Sequence, residues 1–220
     1  PRTELKSIKA LGIWLYINYV TCFIINEYSK GFSFVKENYE LYHKKPELFS
    51  KDEYLQIMNN YLFFCCLNKN ETDFHILIQE LSQTKNATKE EFIFIQKIKF
   101  YRTLELYHQI KRFEEAEKLS CEAEEFLEII NPLVDSYLNR YLQMLIIRAF
   151  IESQNYQAAL LISLKHFKNI GFDFDSSTIK LFEFIAHYKL NNFDNLLYSL
   201  DSWIKTIRSK RKQFPIEKVL

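Results

Sequence analysis

The residue types that most often carry catalysis or metal binding are scattered along this chain. No two of its histidines share the short helical spacing of a metal site, and they lie singly at His43, His75, His108, His166 and His187. The three glycines are far apart, so no glycine-rich phosphate loop can form. The short motifs of metalloproteases, α/β-hydrolases and nucleotide-binding folds are also missing from the sequence. We therefore expect a protein that is not an enzyme and uses neither a metal nor another cofactor.

The cysteines fit a structural role better than a chemical one. Cys22, Cys65, Cys66 and Cys121 match neither a zinc ribbon nor a redox Cys-x-x-Cys motif. Cys65 and Cys66 are adjacent inside an apolar run, which is typical of buried, unreactive thiols. A chain of 220 residues of which 48% are hydrophobic needs no disulfide framework. A reduced, cytoplasmic setting is therefore expected.

Charge is balanced overall but unevenly distributed. A formal net charge of +1 gives no global field that would attract nucleic acid or an anionic membrane. Glutamates crowd residues 114–128, whereas lysines and arginines crowd residues 205–212. The two clusters indicate either solvated helix faces or complementary patches for self-association or an acidic partner. We expect no contact with nucleic acid by this part of the protein.

One apolar segment, residues 11–25, has a membrane-like composition. It is shorter than the roughly 20 apolar residues that a membrane-spanning helix needs, and Asn18 and Thr21 interrupt it. A helix buried on most of its sides is therefore expected here, with a signal anchor as the alternative. No association with a membrane is expected.

Helical periodicity dominates the chain. Over residues 92–107 the apolar positions recur at steps of three and four, with charged residues between them. Ser50 with Glu53, and Thr88 with Glu91, have the spacing of capping boxes that start helices. No segment alternates with the period of a strand. The pattern predicts an all-α fold with helices over residues 5–28, 32–45, 51–67, 71–84, 89–110, 113–130, 132–152, 155–169, 174–190 and 193–212.

These helices form five pairs, and the second members of the pairs can be aligned by the first aromatic residue of each. The aromatic residues recur at intervals of 37 to 43 residues, at Phe32, Phe74, Phe113, Tyr156 and Phe193. Such a period is typical of a solenoid, because one helical hairpin cannot bury its apolar faces without stacked neighbours. Ala116 and Ala159 follow two of the aromatic residues at the same distance.

This pattern resembles tetratricopeptide repeats, most clearly over residues 89–212. Segments 112–116, 155–159 and 192–196 resemble the family's turn into its second helix. The stretch from His187 to Leu197 is also similar to bacterial helical-repeat proteins of uncharacterised activity. The resemblance implies an α-solenoid of about five antiparallel helix pairs, forming one right-handed superhelical domain over residues 1–220.

In tetratricopeptide-repeat proteins the first helices of the pairs line a groove that binds extended peptides. The resemblance places Ile98 and Leu181 on the groove side of this chain. It also implies a set of candidate peptide-binding residues: Tyr101, Arg102, Glu105, His108, Tyr141, Met144, Arg148 and Tyr188. Tyr101 and Met144 stand where the family's carboxylate clamp has Lys and Asn. Contacts with a ligand are therefore expected to be aromatic and of mixed charge.

Two functional hypotheses follow. The first is a non-enzymatic scaffold whose groove or flank binds a peptide or protein segment. The alternative is the ligand- or peptide-sensing half of a transcriptional regulator whose DNA-binding domain lies outside these residues. The sequence begins with Pro1 rather than methionine, so we expect a piece of a longer protein.

Overall fold

The helices predicted from the sequence are present in the computed structural model, which describes residues 7–84, 87–130, 136–166 and 174–213. The fold over these residues is all-α and contains no strand. The helices are α1 (Ile8–Ile24), α2 (Tyr28–Lys44), α3 (Lys51–Asn68), α4 (Glu71–Ser82), α5 (Lys89–Ile110), α6 (Phe113–Ile129), α7 (Ser136–Glu152), α8 (Tyr156–His166), α9 (Phe174–Lys189) and α10 (Phe193–Gln213), with a 3₁₀ turn at Pro46–Leu48.

Local signals set where these helices begin. Both expected capping boxes are confirmed: Ser50 caps α3 and Thr88 caps α5, each with the glutamate three residues later. The Ser50 hydroxyl accepts from the backbone N–H of Glu53 at 3.2 Å, and the Glu53 carboxylate accepts from the backbone N–H of Ser50 at 2.6 Å. The helix expected from residue 32 begins earlier, at Tyr28. The expected start at 132 and end at 169 lie outside the described residues.

The first helix of each predicted pair ends in the same backbone conformation. The first or second residue after it lies in the left-handed region although it is not glycine, with φ between 54° and 68° at Asn26, Lys69, Lys111, Gln154 and Asn191. Three of these turns also share a backbone hydrogen bond of 2.8–2.9 Å that reaches back five residues, made by Glu27, Asn70 and Asn192. This bond is the signature of the Schellman turn. A recurrent turn at the spacing of the pairs is compatible with a helical repeat.

Contacts divide the chain into two compact units, residues 1–111 and 112–220, called unit 1 and unit 2. In unit 1, α3 packs on α2, α4 and α5, and α1 packs on α2. Gly31 permits the close approach of α2 to α3, since a Cβ at this position would lie 2.3 Å from Cε1 of Phe64. Leu15, Val35 and Leu62 are fully buried in the core of this unit.

Unit 2 repeats part of this arrangement. Its α7 packs on α6, α8 and α9, and α10 packs on α9. In each unit a first helix therefore contacts its own partner and the next first helix. The two alanines that the resemblance assigns to close helix packing, Ala116 and Ala159, are buried. The single domain expected over residues 1–220, and its superhelical arrangement, stay predictions.

Candidate functional site

The predicted binding residues on α5 form a polar cluster inside unit 1. The Arg102 guanidinium donates to Asn59 Oδ1 at 2.9 Å and to Glu105 Oε2 at 2.5 Å. The Tyr101 hydroxyl donates to the same Asn59 oxygen. The guanidinium carbon also lies 4.7 Å from the centre of the Phe63 ring, in a cation–π contact. The cluster joins α5 to α3, because Asn59 and Phe63 belong to α3.

Tyr101 stays neutral and Arg102 stays charged in this cluster. Tyr101 is 3% exposed, and burial raises the pKa of its hydroxyl to about 12. Burial acts to lower the pKa of the Arg102 guanidinium, but the negative charge of Glu105 and the hydrogen bond to it more than offset this effect and leave that pKa raised. His108 is buried as well. A peptide would reach Tyr101, Arg102 or His108 only if the helices separated.

The predicted residues of unit 2 are more accessible. On α7, Tyr141, Met144 and Arg148 are half-buried, and Arg148 Nε donates to Glu152 Oε1 at 2.9 Å, one turn along the same helix. On α9, Tyr188 is 60% exposed. The structure thus brings Tyr101, Arg102 and Glu105 into contact in unit 1, whereas the α7 and α9 candidates belong to unit 2. Their role in binding a peptide stays a prediction.

Exposed apolar side chains surround the hairpin of α9 and α10. A surface depression of about 430 Å³ is lined by Leu161 and Leu164 of α8 and by Leu190 and Asn192 of the α9–α10 turn. Phe193 follows Asn192 directly, and its ring lies 6.2 Å from the ring of Tyr188 in an edge-on contact. We define the α8–α10 surface as the exposed residues Leu161, Leu164, Tyr188, Phe193 and Leu197.

A buried polar clasp holds α9 and α10 together beside this surface. The Ser199 hydroxyl donates to Glu183 Oε1 at 2.6 Å, and Lys180 Nζ donates to Glu183 Oε2 at 2.6 Å. Glu183 and Ser199 are both buried. The serine donates to a carboxylate whose other oxygen already accepts from a lysine, so the arrangement resembles a packing contact more than an activated nucleophile.

Sequence reasoning missed a second polar network, in which tyrosines of α2 and α3 bind carboxylates of α4. Glu80 accepts from the Tyr39 hydroxyl at 2.5 Å and from the Tyr54 hydroxyl at 2.7 Å. Asp73 accepts from the Tyr61 hydroxyl at 2.7 Å and from Lys36 at 3.1 Å. A sequence signal exists, since Tyr54 and Tyr61, like Asp73 and Glu80, lie seven residues apart and hence on one face of a helix.

The pKa directions in this network argue against acid–base chemistry. Burial, and then the hydrogen bond to a carboxylate, raises the pKa of Tyr39, Tyr54 and Tyr61. Burial alone would raise the pKa of Asp73, but hydrogen bonds from Tyr61 and Lys36 hold it below its usual value. The tyrosines therefore remain neutral donors and Asp73 remains an ionised acceptor. This combination fastens three helices together.

The burial predicted for Cys65 and Cys66 from their apolar sequence context is confirmed. Cys65 and Cys66 are buried, and burial raises the pKa of the Cys65 thiol to about 12 and also raises that of Cys66. Among the residues that the structure describes, no group of three or more His, Cys, Asp or Glu side chains could hold a metal ion. Within the same ranges, no helix has both the length and the apolar character needed to span a bilayer.

Comparison with known proteins assigns no family to this chain. The chain matches no protein-family model, no curated protein and no solved structure. The resemblance to tetratricopeptide repeats therefore stays a prediction from the residues.

Proposed function

We propose that this protein is a non-enzymatic scaffold of stacked helical hairpins, and that it binds an amphipathic helix of a partner protein on the α8–α10 surface. The hairpins would form a right-handed solenoid like that of tetratricopeptide-repeat proteins. The observation that carries the proposal is the clustering of large apolar side chains on α8, α9 and α10. Leu161 and Leu197 are each 65% exposed.

Such clustering differs from ordinary surface exposure. Single exposed apolar residues are common on protein surfaces and need no explanation. Leu161 and Leu164 line one depression together with Asn192. Phe193 follows Asn192 in the sequence, and its ring contacts the ring of Tyr188. Leu197 lies one helical turn after Phe193 on α10. Exposed apolar side chains that lie close together are typical of protein interaction sites. Burying one leucine side chain contributes about 2 kcal/mol, so a few such contacts would support binding.

The clasp between α9 and α10 makes this surface a preorganised platform. Ser199 of α10 and Lys180 of α9 both bind Glu183, which fixes the two helices at mid-length. A partner that docks on a fixed surface loses less conformational entropy than one that must order it. Helix-in-groove recognition uses apolar anchors spaced by three, four and seven residues, which suits side chains presented by neighbouring helices.

The positive charge at the end of α10 indicates which kind of partner helix would bind. Residues 205–212 at the end of α10 contain five basic residues and no acidic one. Three glutamates of α6 already have partners within unit 2: Lys165 pairs with Glu124 and Glu128, and Asn155 donates to Glu117. Arg208 lies eleven residues beyond Leu197, or about 16 Å along the helix. The partner helix is therefore expected to carry acidic residues at one end of its apolar stripe.

This proposal shifts the binding surface from the predicted groove to a flank. Arg102 and Glu105 are bound to each other inside unit 1 and Tyr101 is buried. Tyr188 is the member of the predicted set that belongs to the α8–α10 surface. The contacts expected in the groove are aromatic and of mixed charge, whereas those proposed for the α8–α10 surface are aromatic and apolar, beside a cationic region.

A pair of synthetic peptides tests the proposal. Both would be amphipathic helices of about 18 residues with leucines on one stripe, one carrying glutamates at one end and its twin carrying lysines there. Fluorescence anisotropy should show about tenfold tighter binding of the acidic peptide. Leu197→Glu should abolish that binding, because it places a charge inside the apolar surface. Ile76→Glu is the matched control, since Ile76 is an exposed residue of α4 in unit 1.

Two outcomes would overturn the proposal. Equal affinity for the two peptides, or unchanged binding by Leu197→Glu, would mean that the α8–α10 surface does not select an acidic helix. Alternatively, the purified protein could self-associate in analytical ultracentrifugation and become monomeric only in Leu197→Glu. The surface would then serve contacts between copies of the chain.

A further inference from the structure

Unit 1 contains a cavity that the scaffold function does not use. It has a volume of about 210 Å³ and lies among α1, α2, α3 and the segment after the 3₁₀ turn. Its apolar lining comes from Gly12, Ile13 and Tyr16 of α1, Phe49 and Ile57. Ile13 and Tyr16 are also partly exposed, which places them at the open side.

One polar atom in this cavity has no partner within the protein. Asn38 of α2 lines the cavity and is 4% exposed, and its Oδ1 is buried without a hydrogen bond. Buried side-chain oxygens are nearly always hydrogen-bonded, so an unpaired one calls for an explanation. The oxygen lies 3.5 Å from the point that a Cβ of Gly12 would occupy. Because position 12 is glycine, no side chain of α1 stands against the Asn38 oxygen at this point.

We propose that this cavity binds a small, neutral, planar aromatic molecule that donates one hydrogen bond to Asn38 Oδ1. The aromatic and aliphatic walls favour a flat apolar body, and the Asn38 oxygen requires an N–H or O–H donor. Apolar cavities of about 150 Å³ accept benzene, so the larger volume here suits a two-ring molecule such as indole. Lys9 and Glu53, of opposite charge, are exposed at the edge, which gives a charged ligand no preferred sign.

Three probes of nearly equal size test the assigned chemistry on the full chain. Indole offers an N–H donor, indene has the same shape without one, and quinoline offers an acceptor instead. Isothermal titration calorimetry should show indole binding about fivefold or more tightly than indene, the worth of one hydrogen bond to a buried oxygen. Indole should also raise the midpoint of thermal unfolding.

Two variants locate the binding in the cavity without endangering the fold. Gly12→Ala would place a methyl group 3.5 Å from Asn38 Oδ1 and 3.6 Å from the Phe49 ring, which are ordinary contact distances. Since alanine also favours the helix, this variant should unfold at a higher temperature and yet lose indole binding. Asn38→Leu keeps the volume and removes the acceptor, so it should bind indene at least as well as indole.

The proposal fails if indole neither binds nor shifts the unfolding midpoint up to its solubility limit. It also fails if indene binds as tightly as indole, or if Gly12→Ala retains binding. Tighter binding of quinoline than of indole would mean that Asn38 presents its N–H group, which overturns the assigned ligand class. Leu197→Glu should leave the indole affinity unchanged, which separates this site from the α8–α10 surface.

Discussion

At the scale of single residues, the buried cation Arg102 depends on a full set of partners. Its guanidinium binds Glu105 and Asn59 and lies over the Phe63 ring. A charge removed from water is tolerated only when it is paired and hydrogen-bonded, because desolvation otherwise costs several kcal/mol. Arg102 and Tyr101 therefore hold α5 to α3 within unit 1 through these contacts, and their role in binding a peptide stays a prediction.

Glu105→Ala should lower the free energy of unfolding by about 3 kcal/mol, because it leaves the buried Arg102 charge without its carboxylate. Urea denaturation followed by circular dichroism measures this loss. Asp201→Ala is the matched control, since Asp201 pairs with Lys205 at 2.6 Å but both side chains are mostly exposed. Exposed pairs contribute little, so this variant should unfold at the wild-type urea midpoint.

The opposite result would support the peptide-binding groove that the resemblance to tetratricopeptide repeats implies. If Glu105→Ala kept its stability and lost binding of an extended peptide, the α5 cluster would face a ligand rather than the interior. The structural role assigned to Arg102 would then be wrong.

At the scale of the elements, the left-handed turn residues are the least favourable feature of the hairpins. Asn26 and Asn191 suit this conformation, because asparagine adopts it more readily than most residues. Lys69 and Lys111 do not, since their Cβ atoms crowd the backbone at positive φ. Glycine is the usual residue at the same position of a Schellman turn.

Lys69→Gly should therefore stabilise unit 1 by about 1 kcal/mol, as glycine relieves the steric conflict at the end of α3. Differential scanning calorimetry should record a higher unfolding midpoint. The control is Lys118→Gly, which lies exposed in the interior of α6 and should lose about 1 kcal/mol. A fall in stability for both variants would contradict the strain assigned to the turn.

Helix limits were predictable where a local chemical signal marks them. The capping boxes at Ser50 and Thr88 fix the beginnings of α3 and α5 to the residue. The beginning of α2 was placed four residues late, because the Glu27 side chain at its cap accepts no hydrogen bond from the backbone of the first turn and the sequence offers no signal there. Gly31, four residues into α2, leaves the room that the Phe64 ring of α3 occupies.

The candidate sites were less predictable, because they depend on contacts between helices distant in sequence. Tyr39 of α2 donates to Glu80 of α4. No spacing along the chain indicates which tyrosine binds which carboxylate. The cavity beside Asn38 arises in the same way, since Gly12, Phe49 and Ile57 come from three separate segments. Periodicity identifies the buried face of a helix, but the pairing of faces is a tertiary property.

At the scale of the whole molecule, the sequence supplies one natural reporter for each unit. The chain has two tryptophans, Trp14 on α1 of unit 1 and Trp203 on α10 of unit 2. Both are half-buried, so unfolding should change their fluorescence. Trp203→Phe leaves a protein that reports on unit 1 alone, and Trp14→Phe leaves one that reports on unit 2.

The single domain expected over residues 1–220 predicts that these two reporters give the same unfolding midpoint, as coincident transitions are the test of a cooperative unit. Gly31→Ala sharpens the test. Its methyl group would stand 2.3 Å from the buried Phe64 ring and 3.1 Å from Cys22 Cβ, which should cost unit 1 about 1–3 kcal/mol. In a cooperative domain, Gly31→Ala should lower the midpoints reported by Trp14 and Trp203 equally. If only the Trp14 midpoint falls, residues 1–111 and 112–220 unfold separately, and the protein is a pair of helical-hairpin domains rather than one stack.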